Sequence, residues 1–359
     1  MHADLDYFYA QCEENLNPTI RGRPVIVCVY SGRTEESGVV STCNYEARKF
    51  GVRAGIPIVR AKKILEAAEA IFLPMNRALY EELSDRIMEI LKEYADDFEK
   101  VGIDEAYLDV SREVNDDFNQ ARNTALQIKA DIVEREHITC SIGVGPNKLI
   151  AKIASDENKP DGLTIVKPED VNVYLAKLAV SRVPSVGKKV EKKLTQLHIG
   201  SLGELSRLNS AVLVETFGRS LGSYLYQAAR GVDDEPVKDR NQPIQFSRIG
   251  TLKSNTREFA QIMPLLEELA LSVTGKLVKE NMACRSIGIV AITDALKIHS
   301  KSKTLESPTF DMKVIRQSSR ELLEQFLQSI PDAVIRRIGV KLSGLSSRSG
   351  QKDLGQFLR

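Results

Sequence analysis

Residues 100–110, KVGIDEAYLDV, are strand-like on both sides of Asp104-Glu105, which places two adjacent carboxylates at the turn of a hairpin. A second acidic pair stands about a hundred residues earlier, where Asp4 and Asp6 flank Leu5. In an extended segment residues two apart share a face, so both aspartates point one way and Leu5 the other. Hard oxygen donors of this kind suit Mg²⁺, which takes one or two carboxylates and completes its shell with water and phosphate oxygens. On spacing alone, an acidic surface turn reads the same way.

Outward from the hairpin, short apolar strands alternate with amphipathic helices. Residues 24–30 (PVIVCVY) form a β-branched run closed by Ser31-Gly32, and residues 78–98 repeat Leu79, Leu83, Ile87, Ile90 and Leu91 at helical spacing. Residues 120–134 and 147–155 read as helices, 138–144 and 163–166 as strands. Strands and helices in mixed order predict an α+β layer, one sheet with helices against it. Residues 167–232 differ: short helical segments are punctuated by glycines and Pro184, without a convincing strand. The polar stretch 233–242 (DDEPVKDRNQ) reads as an exposed linker. Beyond it, residues 243–345 give the order β-α-β-β-α-β, a further compact domain.

The chain has 359 residues, 42% hydrophobic and 28% charged, which is ample to bury more than one core. Its net charge of +1 conceals a division. Residues 1–166 hold 20 basic against 29 acidic side chains, and residues 167–359 hold 30 against 20. This suggests a C-terminal half that grips a polyanion and an N-terminal half whose carboxylates do something else, although two solvated faces would show the same balance. The five cysteines are scattered and never spaced C-x-x-C, which argues against disulfides and zinc and for buried thiols in a reducing compartment. With no long uncharged apolar run and a charged N-terminal segment, the expectation is a cytoplasmic protein without a membrane span.

Three stretches in register carry a more specific signal: DLDYFYAQCEENLNP from Asp4, SGVVSTCNYEARKFGVRAGIP from Ser37, and GIDEAYLDVS from Gly102. Together they resemble the Y-family translesion DNA polymerases, near the archaeal polymerase IV branch, and the resemblance runs over essentially the whole chain. It implies an α+β multidomain right-hand polymerase. A ferredoxin-like palm would take residues 1–10 and 75–166, small fingers 11–74, a helix-hairpin-helix thumb 167–232, a linker 233–242, and a little finger 243–345. The remaining tail, 346–359, would bind a sliding clamp.

By matched motifs, the resemblance makes Asp4, Asp104 and Glu105 catalytic ligands of two Mg²⁺ ions, with the Leu5 backbone carbonyl a further ligand. Asp6 and Asp109 are left as structural residues. It implies that Tyr45, Arg48 and Lys159 hold the triphosphate of a dNTP, that Tyr9 is a steric gate against the ribose 2′-OH, and that Phe8 packs beneath the sugar. Read from the residues, Tyr45 and Arg48 are three apart and so neighbours on one helical face. Val39, Ser41 and Gly55 match positions that cover the nascent base pair. Their small side chains imply weak shape discrimination, hence low fidelity and tolerance of damaged templates. No second carboxylate cluster suggests a nuclease, so proofreading is not expected.

In the helical module, residues 183–190 (VPSVGKKV) resemble a helix-hairpin-helix turn, in which backbone N–H groups bind DNA phosphate. Ser185, Gly187, Lys188 and Lys189 are the candidate DNA contacts, with Ser185 standing where such a turn usually has glycine. A looser second copy lies at 217–220 (FGRS). Gln351, Leu354, Phe357 and Leu358 fit the clamp pattern Q-x-x-L-x-x-F-[FL]. The implied partners are primer–template DNA, dNTPs and a sliding clamp, with a monomer as the expected state. Because only Met1-His2-Ala3 precede Asp4 where the family has a full apolar strand, the expectation is that the natural chain begins earlier.

Overall fold

The computed structural model describes residues 1–239 and 243–348. In chain order its elements are β1 (His2–Leu5), α1 (Phe8–Leu16), β2 (Val25–Tyr30), β3 (Gly38–Cys43), α2 (Tyr45–Lys49), α3 (Ile58–Ile64), β4 (Ile71–Pro74), α4 (Arg77–Lys92), β5 (Asp97–Lys100) and β6 (Glu105–Asp109). Then come α5 (Phe118–Glu136), β7 (Cys140–Val144), α6 (Lys148–Ser155), β8 (Leu163–Ile165), and the helices α7 (Val171–Ala176), α8 (Lys188–Gln196), α9 (Leu202–Ser206), α10 (Ser210–Phe217) and α11 (Arg219–Ala228). The last stretch comprises β9 (Gln245–Thr256), α12 (Phe259–Lys279), β10 (Met282–Thr293), β11 (Ile298–Thr309), α13 (Met312–Ser329) and β12 (Ile335–Ser347).

These residues form two compact units. One takes in Met1–Cys28, Val40–Ile56 and the stretch from Ala61 to the linker; the other takes in Val29–Val39, Pro57–Arg60 and the part beyond the linker.

The first unit is built on a sheet of order β5-β6-β1-β7-β8, with β1 central and antiparallel to both neighbours. Four residues suffice for β1 because it is paired on both sides, so its backbone groups are spent in the ladder while Ala3 and Leu5 are buried. The hairpin read from residues 100–110 is β5 and β6, but it is set earlier than read: its first strand is Asp97–Lys100, taken from the stretch read as helix, which ends at Lys92. Glu105 opens the second strand, with Val101 N–H and Gly102 N–H donating to its carbonyl. On α4 the expected apolar row is buried from Leu83 onward, but the buried residue of the first turn is Tyr80, while Leu79 is only half-buried. Asn76 caps this helix by accepting from Leu79 N–H.

Helix α6 lies unusually close to the sheet. A Cβ at Gly143 would sit 1.9 Å from the Ala151 carbonyl oxygen, so only glycine allows this approach. The opposite face of α6, through Leu149, Ile150 and Ile153, joins the core of the helical module α7–α11. No strand occurs in 167–232, as composition suggests, beyond one isolated bridge between Ala179 and Ser201.

The described part of the linker is largely exposed, as read, and it is also tied to the first unit. Asp233 accepts from Leu149 N–H at the start of α6, and Lys238 N–H points to Glu99, which is itself paired with the buried Lys148 at 2.7 Å. Helix α6 begins with unpaired N–H groups, and an acidic residue there satisfies one of them.

In the second unit a four-stranded antiparallel sheet of order β11-β10-β12-β9 packs against α12 and α13. Its element order is the expected β-α-β-β-α-β. β9 runs to Thr256 and β12 to Ser347, since pairing on the ladder continues past the last buried side chain of each strand.

Candidate active site

Asp4 on β1 is the register partner of Glu105 on β6. Directly opposed residues of an antiparallel pair project to the same face with Cβ atoms about 4.5–5.5 Å apart, so pairing alone sets these carboxylates side by side. Asp104 precedes Glu105 in the turn, and its carbonyl accepts from Leu5 N–H at 2.8 Å, which ties the turn to the end of β1.

Two lysines close on these acids. Lys159 Nζ lies 2.6 Å from Asp4 Oδ1 and 2.7 Å from Asp156 Oδ1, while Lys152 Nζ lies 2.5 Å from Glu105 Oε2. His2, fully buried on β1, completes the arrangement: Nδ1 is 2.8 Å from Ser155 Oγ and Nε2 is 3.3 Å from Glu105 Oε2. The His2 ring and the Lys152 ammonium hold Glu105 down at about 2. Burial acts the other way on its neighbours. It pushes Asp4 up to about 6 against the pull of Lys159, and it raises Asp104 together with the adjacent Glu105 charge.

The donor set, three carboxylates and a backbone carbonyl, fits a hard divalent cation. Among the described residues no three such side chains converge closely enough to hold an ion as they stand. Lys159 and Lys152 instead take carboxylate oxygens that a cation would use. Asp6 belongs to a different environment. The strand ends at Leu5, and the buried Asp6 carboxylate accepts from Thr139 Oγ1, Ser141 Oγ and Asp161 N–H, so it braces β7 rather than facing the acids. Asp109 accepts from the N–H and hydroxyl of Ser111 and holds the exit of the hairpin.

Beside the acids lies an aromatic and cationic group. Asn44 caps α2 through Ala47 N–H, and its amide donates to Glu14 Oε1 at 2.7 Å. Tyr7, whose backbone is in the left-handed region at φ 36°, donates to the same Glu14 and packs its ring edge-on against Tyr45 at 5.5 Å. The Arg48 guanidinium stands 4.6 Å over the Tyr45 ring, with Nε donating to the Cys43 carbonyl. Phe8 is buried in the core, while Tyr9 is half-buried. Ser41 Oγ is 4.0 Å from Met75 Sδ, Gly55 turns at φ 86°, and Val39 is exposed on β3.

The candidate DNA contacts of the helical module lie on its turns. Ser185 adopts φ 71°, a left-handed conformation that favours glycine, so the turn is made with serine at a local cost. Gly187 then caps α8, with Lys188 and Lys189 exposed behind it. Gly218, at φ 81°, joins α10 to α11 in the looser second copy. Gln351, Leu354, Phe357 and Leu358 lie outside the described residues.

Sequence reasoning missed His2, Lys152 and Ser155, which spacing alone could not join to Glu105. The signal for His2 was present as a polar residue two before Asp4 on the same strand, hence on the same face.

Residues 3–156 match the impB/mucB/samB family, residues 243–354 match that family's C-terminal domain, and residues 181–233 match the thumb domain of DNA polymerase-iota. The chain is 44% identical over 357 residues to the DNA polymerase IV of Nitrosopumilus maritimus, covering 99% of this chain and 98% of that protein. It is 41% identical to the DNA polymerase IV of Saccharolobus solfataricus, covering 96% and 95%. Among solved structures it is similar to a chimaeric Y-family DNA polymerase, with a TM-score of 0.91 at 38% identity over 96% of this chain and 98% of that one. It is also similar to an insertion ternary complex of Dbh DNA polymerase, with a TM-score of 0.69 at 38% identity over 96% and 98%.

Proposed function

Because the chain belongs to the Y-family of translesion DNA polymerases, of the archaeal DNA polymerase IV type, and so is a DNA-directed DNA polymerase, we propose that it joins dNTPs to a primer 3′-OH at Asp4, Asp104 and Glu105. The observation that carries this reading is the opposition of Asp4 and Glu105 in the β1–β6 register, with Lys159 at 2.6 Å from Asp4.

Asp4, Asp104, Glu105 and the Leu5 carbonyl would hold two Mg²⁺ ions, which lower the pKa of an attacking hydroxyl and neutralise charge on the phosphates. The chain's own groups do the rest. Lys159 and Arg48 offer charge-assisted donors to a triphosphate, and Tyr45 adds a hydroxyl on the same side. Lys159 changes partner, leaving Asp4 for the phosphates, which frees the carboxylate. Lys152 stays on Glu105 and fixes that carboxylate against rotation. Tyr9 bars a 2′-OH, with Phe8 buried beneath it, and Val39, Ser41 and Gly55 form a loose cover for the nascent base pair, which gives low fidelity.

Fingers and palm correspond in this reading to residues 11–74 and to residues 1–10 with 75–166. The thumb, 167–232, grips DNA phosphates through Ser185, Gly187, Lys188 and Lys189. The little finger, 243–345, adds a sheet bearing Arg337 and Lys341. Residues 346–359 bind a sliding clamp, the protein acts as a cytoplasmic monomer without proofreading, and no helix among the described residues is long and apolar enough to cross a membrane.

The test is Mg²⁺-dependent extension of a primed template by the protein beside Asp104→Ala. Extension lost in the variant with primer–template binding retained supports the assignment. Equal extension by both removes Asp104 from the site.

A further inference from the structure

Tyr9 does not stand alone. Its ring lies parallel to that of Tyr80, 15° apart and 4.4 Å between centroids, and Tyr80 is fully buried in the first turn of α4. The Tyr80 hydroxyl donates to Glu13 Oε1 at 2.5 Å, and Glu13 is itself buried on α1. Tyr9 and Glu13 are four residues apart, so they share one face of α1 and clasp Tyr80 between them, one by ring face and one by hydroxyl. The same tyrosine is anchored at its backbone, where Tyr80 N–H donates to the carbonyl of the capping residue Asn76. A half-buried ring with an open side would otherwise be free to tilt. Here one face is closed by a partner fixed at both ends.

We propose that Tyr80 is a positioning residue for sugar selection: it sets the plane of the Tyr9 ring, and Glu13 sets Tyr80. This deepens, and rests on, the reading of Tyr9 as the gate against a ribose 2′-OH. The physical reason is that a steric gate discriminates only if it cannot yield. A 2′-OH is larger than a hydrogen by one oxygen atom, and a ring that can tilt aside makes room for it. A stacked aromatic partner opposes such tilting, because the pair is favourable beyond the area it buries. Removing the partner leaves the gate present but compliant. Tyr80 touches no substrate, so its effect appears in the choice between sugars rather than in the use of dNTPs.

The experiment measures single-turnover incorporation of each dNTP and its matched rNTP on one primer–template. The ratio of the two efficiencies is insensitive to how much enzyme is folded, which separates a positioning role from a merely structural one. Tyr9→Ala should raise rNTP use at least a hundredfold. Tyr80→Leu should raise it about tenfold with dNTP efficiency changed less than threefold, and the double variant should be no more permissive than Tyr9→Ala. Tyr80→Phe keeps the ring and its volume but loses the tether, and should shift the ratio threefold or more while remaining closer to the parent than Tyr80→Leu. If Tyr80→Leu does not fold, the Tyr80→Phe ratio decides. Relaxed selectivity in Tyr9→Ala with a parental ratio in the Tyr80 variants overturns the positioning role and leaves the gate standing. An unchanged ratio in Tyr9→Ala overturns the gate, and the inference with it.

Discussion

Lys159 reaches back across the site to place its ammonium 2.6 Å from Asp4, the carboxylate that pairing sets opposite Glu105. Even with that cation beside it, burial keeps Asp4 up at about 6, so its ionised form is held at a cost to the fold. Active sites carry such strain in exchange for chemistry.

The first consequence concerns stability and pH. Asp4 binds its proton more tightly in the folded protein than in the unfolded chain, where its ordinary value is near 3.8. Between pH 4 and 6 the folded state therefore holds more protons, and stability from this group is present below pH 4 and lost as pH rises through 6. Asp4→Asn should abolish extension yet raise the metal-free protein's stability at pH 7 by about 1–2 kcal/mol, with the gain shrinking toward pH 4. Chemical denaturation at the two pH values measures this. A variant less stable than the parent at pH 7 contradicts the account.

Lys159→Ala should act on nucleotide binding rather than DNA binding. One charge-assisted hydrogen bond contributes about 1.5–3 kcal/mol, so KM for dNTP should rise about tenfold or more while primer–template affinity stays within twofold. Steady-state kinetics beside a DNA titration decides it. A loss of DNA affinity as large as the rise in KM would place the lysine elsewhere.

Gly143→Ala probes how α6 is seated. The added methyl meets the Ala151 carbonyl at 1.9 Å, a backbone atom that cannot turn aside. The helix must move off the sheet and carry Lys152 and Ser155 away from Glu105 and His2. Thermal stability and extension should fall together, with a cost of about 1–3 kcal/mol. An unchanged melting temperature would show that the approach is not tight.

The thumb turn separates geometry from charge. Ser185→Gly removes a left-handed serine and should stabilise by about 0.5–1 kcal/mol, less than the full left-handed penalty because glycine gains entropy in the unfolded chain. DNA affinity should be kept. Lys188→Ala and Lys189→Ala should leave stability alone and each lower the slope of log affinity against log salt by about 1, uniformly across DNA sequences. Denaturation midpoints and binding at several salt concentrations read both effects.

The hairpin around Asp104-Glu105 was legible in the sequence because alternation and a turn are local signals. So were the amphipathic helices, the strandless stretch 167–232, and the order β-α-β-β-α-β of the last domain. Local periodicity encodes which face of an element is apolar, and three motifs in register carried the candidate acids. Spacing could not encode which residues from distant elements meet. His2 and Ser155 are separated by 153 positions yet lie 2.8 Å apart, and Tyr80 reaches Glu13 across 67. Asp6 shows the same limit from the other side, since alternation placed it beside Asp4 until the strand ended at Leu5 and β7 claimed its carboxylate. The sequence by itself determined the elements, their apolar faces and the chemistry available. Only the tertiary structure decided which lysine sits on which acid and which ring backs Tyr9, because those contacts follow from register and helix seating, which no single segment contains.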